Sequence, residues 1–231
     1  MQGLVALAMA NSAAFVALPG GGAKPVLGTN PYAFGCPRGV GQPPFVFDQA
    51  CSMLARGELQ LLHRAGLPLP PGAAVDASGQ PTLDTAAGIA GAQLPFGGHK
   101  GMNLALMVEL MAAACTGSPF ATEVSLNSQA EAGAQTPPPR PAGDFPTVNG
   151  ELILALDPEQ FSKFGNEFPG GFRARVESFL TGLVSDSIGL QGNALRLPSD
   201  RRYAQRRKTM ARNGAIEVDS ALFDAAVAFG R

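Results

Sequence analysis

Metal chemistry, nucleic-acid binding and membrane insertion each lack their usual signature in this sequence. It holds two histidines, His63 and His99, and three cysteines, with none of the Cys-x-x-Cys or His-x-x-x-His spacing that a zinc site uses. The cysteines (Cys36, Cys51 and Cys115) are odd in number, far apart and set among apolar residues. That pattern reads as reduced, cytosolic and structural. Charge is sparse and balanced, 17 Lys and Arg against 18 Asp and Glu, so the balance points to no nucleic acid or other polyanion. Spanning a membrane takes roughly 20 uninterrupted apolar residues. The apolar run at 4–18 is broken by Asn11 and Ser12, and no basic segment precedes it as in a signal peptide. The Gly20-Gly21-Gly22 loop lacks the Lys-Ser/Thr ending of a P-loop.

What the chain does hold is apolar bulk, 45% of 231 residues, cut into short elements by 29 glycines and 20 prolines. That suits one large domain or two small ones. Residues 4–9 and 14–18 read as buried strands. Gly28-Thr29-Asn30-Pro31 is a turn feeding a strand at 32–35. A strand at 45–47 ends at Asp48, which is either a turn-former or a site residue. A helix is expected over 52–65, with Glu58 on a solvated face and His63 in the last turn, favoured there by the helix dipole. Residues 76–79 read as a turn, 81–90 as loop, and 128–150, with T-P-P-P-R-P inside, as a long extended connection. A strand at 151–156 follows, then an amphipathic helix marked by Phe172, Val176, Phe179, Leu180 and Leu183. The run L-P-S-D-R-R-Y opens a basic helix, with Ser199 and Asp200 as capping candidates and Arg201 and Arg202 at its start. Residues 215–218 read as a short strand, and Ser220 as the cap of a last helix.

The stretch that organises the rest is L-P-F-G-G-H-K-G at 94–101. Its glycine pair permits a sharp backbone turn, after which His99 and Lys100 stand at the mouth of a helix. Behind them Leu104, Met107, Val108, Met111 and Cys115 recur at helical spacing, and most other positions are Ala, Leu or Met. The helix is therefore expected to be buried nearly all round. A helix mouth preceded by glycines and carrying a lysine suits an anion, through free N–H groups and the positive dipole end. The same residues also serve as an ordinary tight turn.

G-T-N-P-Y-A-F-G at 28–35, F-D-Q-A-C-S at 47–52, G-E-L-Q at 57–60, L-P-F-G-G-H-K-G at 94–101 and L-P-S-D-R-R-Y at 197–203 stand in the order found in one enzyme family. The chain resembles the type-2 malate/L-lactate dehydrogenases, and within them most the reductases of Δ1-piperideine-2-carboxylate and Δ1-pyrroline-2-carboxylate. The resemblance implies an α/β fold with a mixed β-sheet and packed helices, binding NAD(P) without the Rossmann Gly-x-Gly-x-x-Gly, which is absent here. It implies NADPH as cofactor ahead of NADH, a small cyclic imino acid or 2-oxo acid as substrate, and a cytoplasmic homodimer. By matching positions, Asp48, Gln49, Ala50, His99, Lys100, Ser199, Asp200, Arg201 and Arg202 would hold the cofactor, the last four its phosphates. Thr29 would touch the substrate carboxylate. Glu58 falls where these reductases carry an aspartate that orients a serine–histidine pair, and is one methylene longer. Cys51 stands where a threonine is common.

Members of the family carry a helical region, including that serine and histidine, ahead of the strand that here opens at Leu4. The resemblance therefore implies a chain of NAD(P)-binding and C-terminal parts whose proton-donating histidine lies outside 1–231. Two further readings stay open: a 2-hydroxy acid dehydrogenase of the malate/lactate type, and a non-catalytic remnant that binds nucleotide or dimerises.

Overall fold

The computed structural model describes residues 3–124, 149–162, 169–186, 196–218 and 220–229. The expected long connection at 128–150 falls almost wholly outside them. The chain divides into two compact units, residues 1–36 with 46–161, and residues 37–45 with 162–231.

The first unit is built on a four-stranded sheet. Its strands are β1 (Val5–Ala10), β2 (Tyr32–Cys36), β3 (Phe45–Gln49, entering at its second residue) and β7 (Glu151–Leu156), in the order β3-β2-β1-β7. β1 lies antiparallel to both neighbours, with Leu7 opposite Phe34 and Leu154. Phe47 stacks on Phe34 and meets the edge of Tyr32, tying β3 to β2. A smaller antiparallel sheet, β5-β4-β6, joins Pro81–Thr82, Ala74–Val75 and Ala92–Gln93. The expected strand at 14–18 reduces to one residue: Val16 bridges Leu27 antiparallel and Gln93 parallel.

Helix α1 (Arg56–Arg64) starts later than the pattern suggests, because Ser52 is bridged to Pro95 and its hydroxyl donates to the Leu54 carbonyl. Residues 81–90 are not simply loop. They hold β5 and helix α2 (Thr85–Ala90), where the Asp84 carboxylate accepts from the Ala87 N–H at 2.7 Å. That N-cap supplies the start signal that a short Ala- and Gly-containing helix lacks in its periodicity. The turn at 76–79 stands as expected, with Asp76 Oδ1 accepting from Ser78 and Gln80. These hydrogen bonds, that from the Ser78 hydroxyl foremost, hold its carboxyl below the usual range.

Helix α3 (His99–Val108) runs on as a π-helical turn, Glu109–Ala113, and a 3₁₀ turn, Ala114–Thr116. It is buried on one face only. Gly101, Ala105, Val108, Glu109, Ala112 and Ala113 face inward, while Leu106, Met107, Leu110 and Cys115 are exposed. The expectation of burial all round fails because small residues, not the large ones, make the close face. Met9, Val16, Leu27, Cys51, Ala105, Val108 and Ala112 form the main core.

The three cysteines differ accordingly. Cys51 and Cys36 are buried, and burial pushes the Cys51 thiol up to about 12 and raises that of Cys36. Because the thiolate is the nucleophile, native protein treated with iodoacetamide at pH 8 should be alkylated at Cys115 alone. All three should react in guanidinium chloride, and mass spectrometry of the alkylated peptides reads the difference.

The second unit carries helices α5 (Gly171–Asp186), α6 (Asp200–Ala211) and α7 (Ser220–Phe229). A short helix, α4 (Pro158–Ser162), precedes them. On α5 Leu180 is buried, whereas Phe179 and Leu183 are exposed, so the apolar stripe is narrower than its sequence suggests. Arg38 grips Glu177 through two bonds, Nε to Oε2 at 2.9 Å and Nη2 to Oε1 at 2.7 Å. This pair holds the Glu177 carboxyl below its ordinary range. Tyr203 donates its hydroxyl hydrogen to the Pro44 carbonyl, pinning α6 to the 37–45 segment. The expected strand at 215–218 takes no part in a sheet among the described residues.

Candidate active site

Three of the sequence motifs converge on the backbone of one residue. The Cys51 N–H donates to the Thr29 carbonyl at 2.8 Å, and the Cys51 carbonyl accepts from the Phe96 N–H at 3.0 Å. Met53 N–H donates to Leu94 O at 2.9 Å, extending the pairing. The segment 48–53 thus lies between residues 28–31, which form no turn of the kind expected, and the stretch that opens α3. Thr29 is half-buried, Asp48 and Gln49 are exposed at the end of β3, and Ala50 is partly covered. Gln49 donates to the Tyr32 hydroxyl.

At the helix mouth Gly97 and Gly98 take φ of 57° and 60°, the left-handed region that other residues rarely occupy. The turn then uses donors that a plain helix start leaves free. Lys100 N–H reaches Gly97 O at 3.3 Å, and Gly101 N–H reaches Phe96 O at 3.0 Å. An anion here would meet the charge of the exposed Lys100 more than a nest of free amides. Gly97 and Gly98 also line a cleft of about 650 Å³, with residues 18–20, Gly22 and residues 78–81 on its other sides. His99 is exposed beside Lys100. Glu58 is exposed in the first turn of α1, and His63 pairs its Nδ1 with the Thr85 hydroxyl at 3.1 Å.

Ser199, Asp200, Arg201 and Arg202 belong to the second unit. Ser199 sits at the N-cap of α6 with φ of 75° and makes no capping bond, and Asp200 turns its carboxylate back to Leu197 N–H at 2.9 Å. Arg201 lines a cleft of about 750 Å³ with Arg38, Arg196, Arg207 and Lys208, against which Asp200 is the only acidic lining residue among the described residues. Arg202 is exposed and does not line it. The excess of positive charge fits phosphate groups. Arg207 and Lys208 lie further along α6, while Arg196 and Arg38 reach the cleft from outside that helix.

Sequence reasoning missed a buried polar cluster behind Thr29. Asn11, Asn30 and Glu109 are at most 6% exposed. Asn30 Nδ2 donates to Glu109 Oε2 at 2.7 Å and to Ala105 O at 2.9 Å. Glu109 Oε1 accepts from Asn11 Nδ2 at 3.4 Å and from the Ala121 N–H. The available signal was a single glutamate inside the run M-V-E-L-M of an otherwise apolar helix.

An α/β unit with a glycine-cornered helix mouth, and a second unit with a basic cleft, define the class. The family model for malate/L-lactate dehydrogenase matches residues 1–225, and the chain belongs to that family. It is 44% identical over 220 residues to a Δ1-pyrroline-2-carboxylate/Δ1-piperideine-2-carboxylate reductase of Pseudomonas aeruginosa, covering 95% of this chain and 58% of that one. It is 39% identical over 223 residues to a (2R)-3-sulfolactate dehydrogenase (NADP(+)) of Chromohalobacter salexigens, with 96% and 58% covered. The crystal structure of Δ1-piperideine-2-carboxylate reductase from Pseudomonas syringae pvar. tomato aligns with a TM-score of 0.75 at 40% identity, over 97% of this chain and 59% of that one. The chain thus spans somewhat under three fifths of the length of these relatives. No helix among the described residues is long and apolar enough to cross a membrane.

Proposed function

We propose that this chain is the nicotinamide-nucleotide-binding part of a reductase for small cyclic imino acids, Δ1-piperideine-2-carboxylate or Δ1-pyrroline-2-carboxylate, giving the L-amino acid. The observation that carries the reading is the convergence on Cys51. It brings the Thr29 segment, the 48–50 segment and the glycine helix mouth into one place in a chain 44% identical to a reductase of that name. The non-Rossmann character of the nucleotide site is part of the same proposal.

When bound, the cofactor supplies a hydride for the imine carbon. The residues of this chain bind and orient. Asp48, Gln49 and Ala50 line the nucleotide's path, and His99 and Lys100 hold it at the helix mouth. Taken by itself, the second unit offers a phosphate-binding cleft lined by Arg201 and Asp200, with Ser199 and Arg202 their neighbours in sequence. Thr29 holds the substrate carboxylate through its hydroxyl. Glu58 serves as the orienting carboxylate for a serine–histidine pair that the family carries ahead of β1. The expected homodimer is in keeping with β7, an edge strand whose Ile153, Leu154 and Leu156 are all exposed.

NADPH should bind in preference to NADH, because guanidinium groups pair with a 2′-phosphate. Lys100→Ala should weaken NADPH binding about tenfold, equivalent to ~1.4 kcal/mol for one charge-assisted contact. Calorimetric titration of both nucleotides into the chain and the variant checks both expectations. Equal affinity for NADH removes the phosphate role of the basic cleft, and an unchanged variant returns Lys100 to the role of a solvated turn residue.

A further inference from the structure

The buried cluster behind Thr29 has a direction built into it. A carboxylate is acceptor-only, and among the described residues Glu109 accepts from three N–H donors: Asn30 Nδ2, Asn11 Nδ2 and the Ala121 amide. Asn30 Nδ2 also faces the Ala105 carbonyl at 2.9 Å. With two acceptors on that side, the amide of Asn30 has one allowed orientation, and its Oδ1 must point the other way. There it accepts from Ser12 N–H at 3.2 Å. The Ser12 hydroxyl in turn accepts from Thr29 N–H at 3.1 Å and lies 3.4 Å from the Thr29 hydroxyl.

Three further features accompany this arrangement. Asn30 holds φ of 43°, a conformation that asparagine tolerates better than most residues. A Cβ on Gly28 would stand 2.3 Å from Asn30 Oδ1 and 2.5 Å from Ser12 Oγ, so both side chains occupy the space that a glycine leaves. Glu109 itself opens the π-helical turn, at the junction where the helix changes pitch.

We propose that Glu109 is a positioning residue: its carboxylate sets the Asn30 amide, which through Ser12 aims the Thr29 hydroxyl at the substrate carboxylate. The inference rests on the reading of Thr29 as that contact. It makes Glu109, buried and separated from Thr29 by Asn30 and Ser12, a determinant of carboxylate affinity and not of nucleotide affinity. A glutamine at this position keeps the shape but turns an NH₂ toward one of the donors. When that NH₂ faces Asn30, the asparagine amide loses a bond or flips, and the flip takes the acceptor away from Ser12 N–H.

The test uses the full chain and pyrrole-2-carboxylate, a planar ring carboxylate that cannot accept hydride. Glu109→Gln should weaken its binding at least tenfold while NADPH affinity stays within twofold. The Asn30 side-chain amide, buried and doubly bonded, should exchange slowly in the unaltered chain, and in the variant its resonances should shift and exchange rapidly. Ser12→Ala, which cuts the relay without touching Glu109, should show the same loss of carboxylate affinity, and it decides the matter should Glu109→Gln not fold. Thr29→Val sets the reference. If Thr29→Val weakens pyrrole-2-carboxylate but Glu109→Gln and Ser12→Ala bind it normally, this inference falls alone. If the unaltered chain does not bind it, or Thr29→Val binds it as the unaltered chain does, the substrate reading falls and takes the inference with it.

Discussion

Gly101→Ala should destabilise the first unit by about 3 kcal/mol or more, the upper range for forced overpacking. A Cβ at this position would stand 2.3 Å from the Phe96 carbonyl oxygen and 2.9 Å from both the Phe96 nitrogen and the Cys51 carbonyl oxygen. All three are backbone atoms, so no side chain can rotate away. Relief requires moving the helix mouth off the segment that joins Thr29 to Phe96. Gly57, in α1, has open space around the same ideal Cβ and is exposed. There the alanine substitution should stabilise by about 0.5–1 kcal/mol through helix propensity alone. Thermal unfolding of the two variants should therefore move in opposite directions. At a few degrees per kcal/mol for a chain of this size, Gly101→Ala should lower Tm by roughly 6–12 °C. Equal shifts would mean that the motif's last glycine is there for propensity, not for close approach.

The Gly101 contact also marks how far the sequence could be read. The turn signals at 76–79 and at the glycine pair 97–98 were local, and they held, each specifying a backbone shape from adjacent residues. The turn expected at 28–31 did not form, because the Thr29 and Pro31 carbonyls accept from Cys51 and Ala10 instead. The strands at β1, β2, β3 and β7 were legible from short apolar runs bounded by those turns. Burial was harder. A run of Ala, Leu and Met looks apolar on every face, yet the packed face of α3 uses Gly101, Ala105 and Ala112, because small residues admit close backbone approach and the large ones are left outside.

The polar cluster was illegible for a different reason. Asn11 and Ser12 appear in the sequence only as a break in an apolar run, and Glu109 as an isolated charge. Their meaning lies in partners far along the chain, with Asn11 bonded to Glu109 and to Gly150. Of the candidate site residues, Thr29, Asp48, Gln49, Ala50, His99 and Lys100 share the first unit, where Cys51 links their segments. Ser199 to Arg202 stand in the second unit, and the basic residues that line the cleft with Arg201 come from three separate stretches, 38, 196 and 207–208. No linear motif could have listed them together.

Asn30→Asp should cost about 3–5 kcal/mol, the range for a buried charge left without its partner. The substitution is close to isosteric, and aspartate, like asparagine, tolerates the positive φ of 43° found here. Backbone strain and cavity formation therefore contribute little, and the change is almost purely electrostatic. It replaces the donor 2.7 Å from Glu109 Oε2 with a second carboxylate oxygen, and sets another acceptor against the Ala105 carbonyl. Both positions are buried, so water cannot screen the repulsion. Asn30→Ala separates the terms: it removes the bond to Glu109 and leaves Ser12 N–H without its acceptor, but adds no like charge. It should cost less, about 1–3 kcal/mol for the donors and acceptors left unpaired. Guanidinium denaturation of both variants at neutral pH gives the comparison. The two-residue cycle with Glu109→Gln completes it, since a glutamine can donate to the new carboxylate. Asn30→Asp should therefore be less costly in the Glu109→Gln background than in the unaltered chain, by 1 kcal/mol or more, the scale of coupling between residues of one hydrogen-bonded network. Strict additivity would mean that Asn30 and Glu109 do not interact in solution.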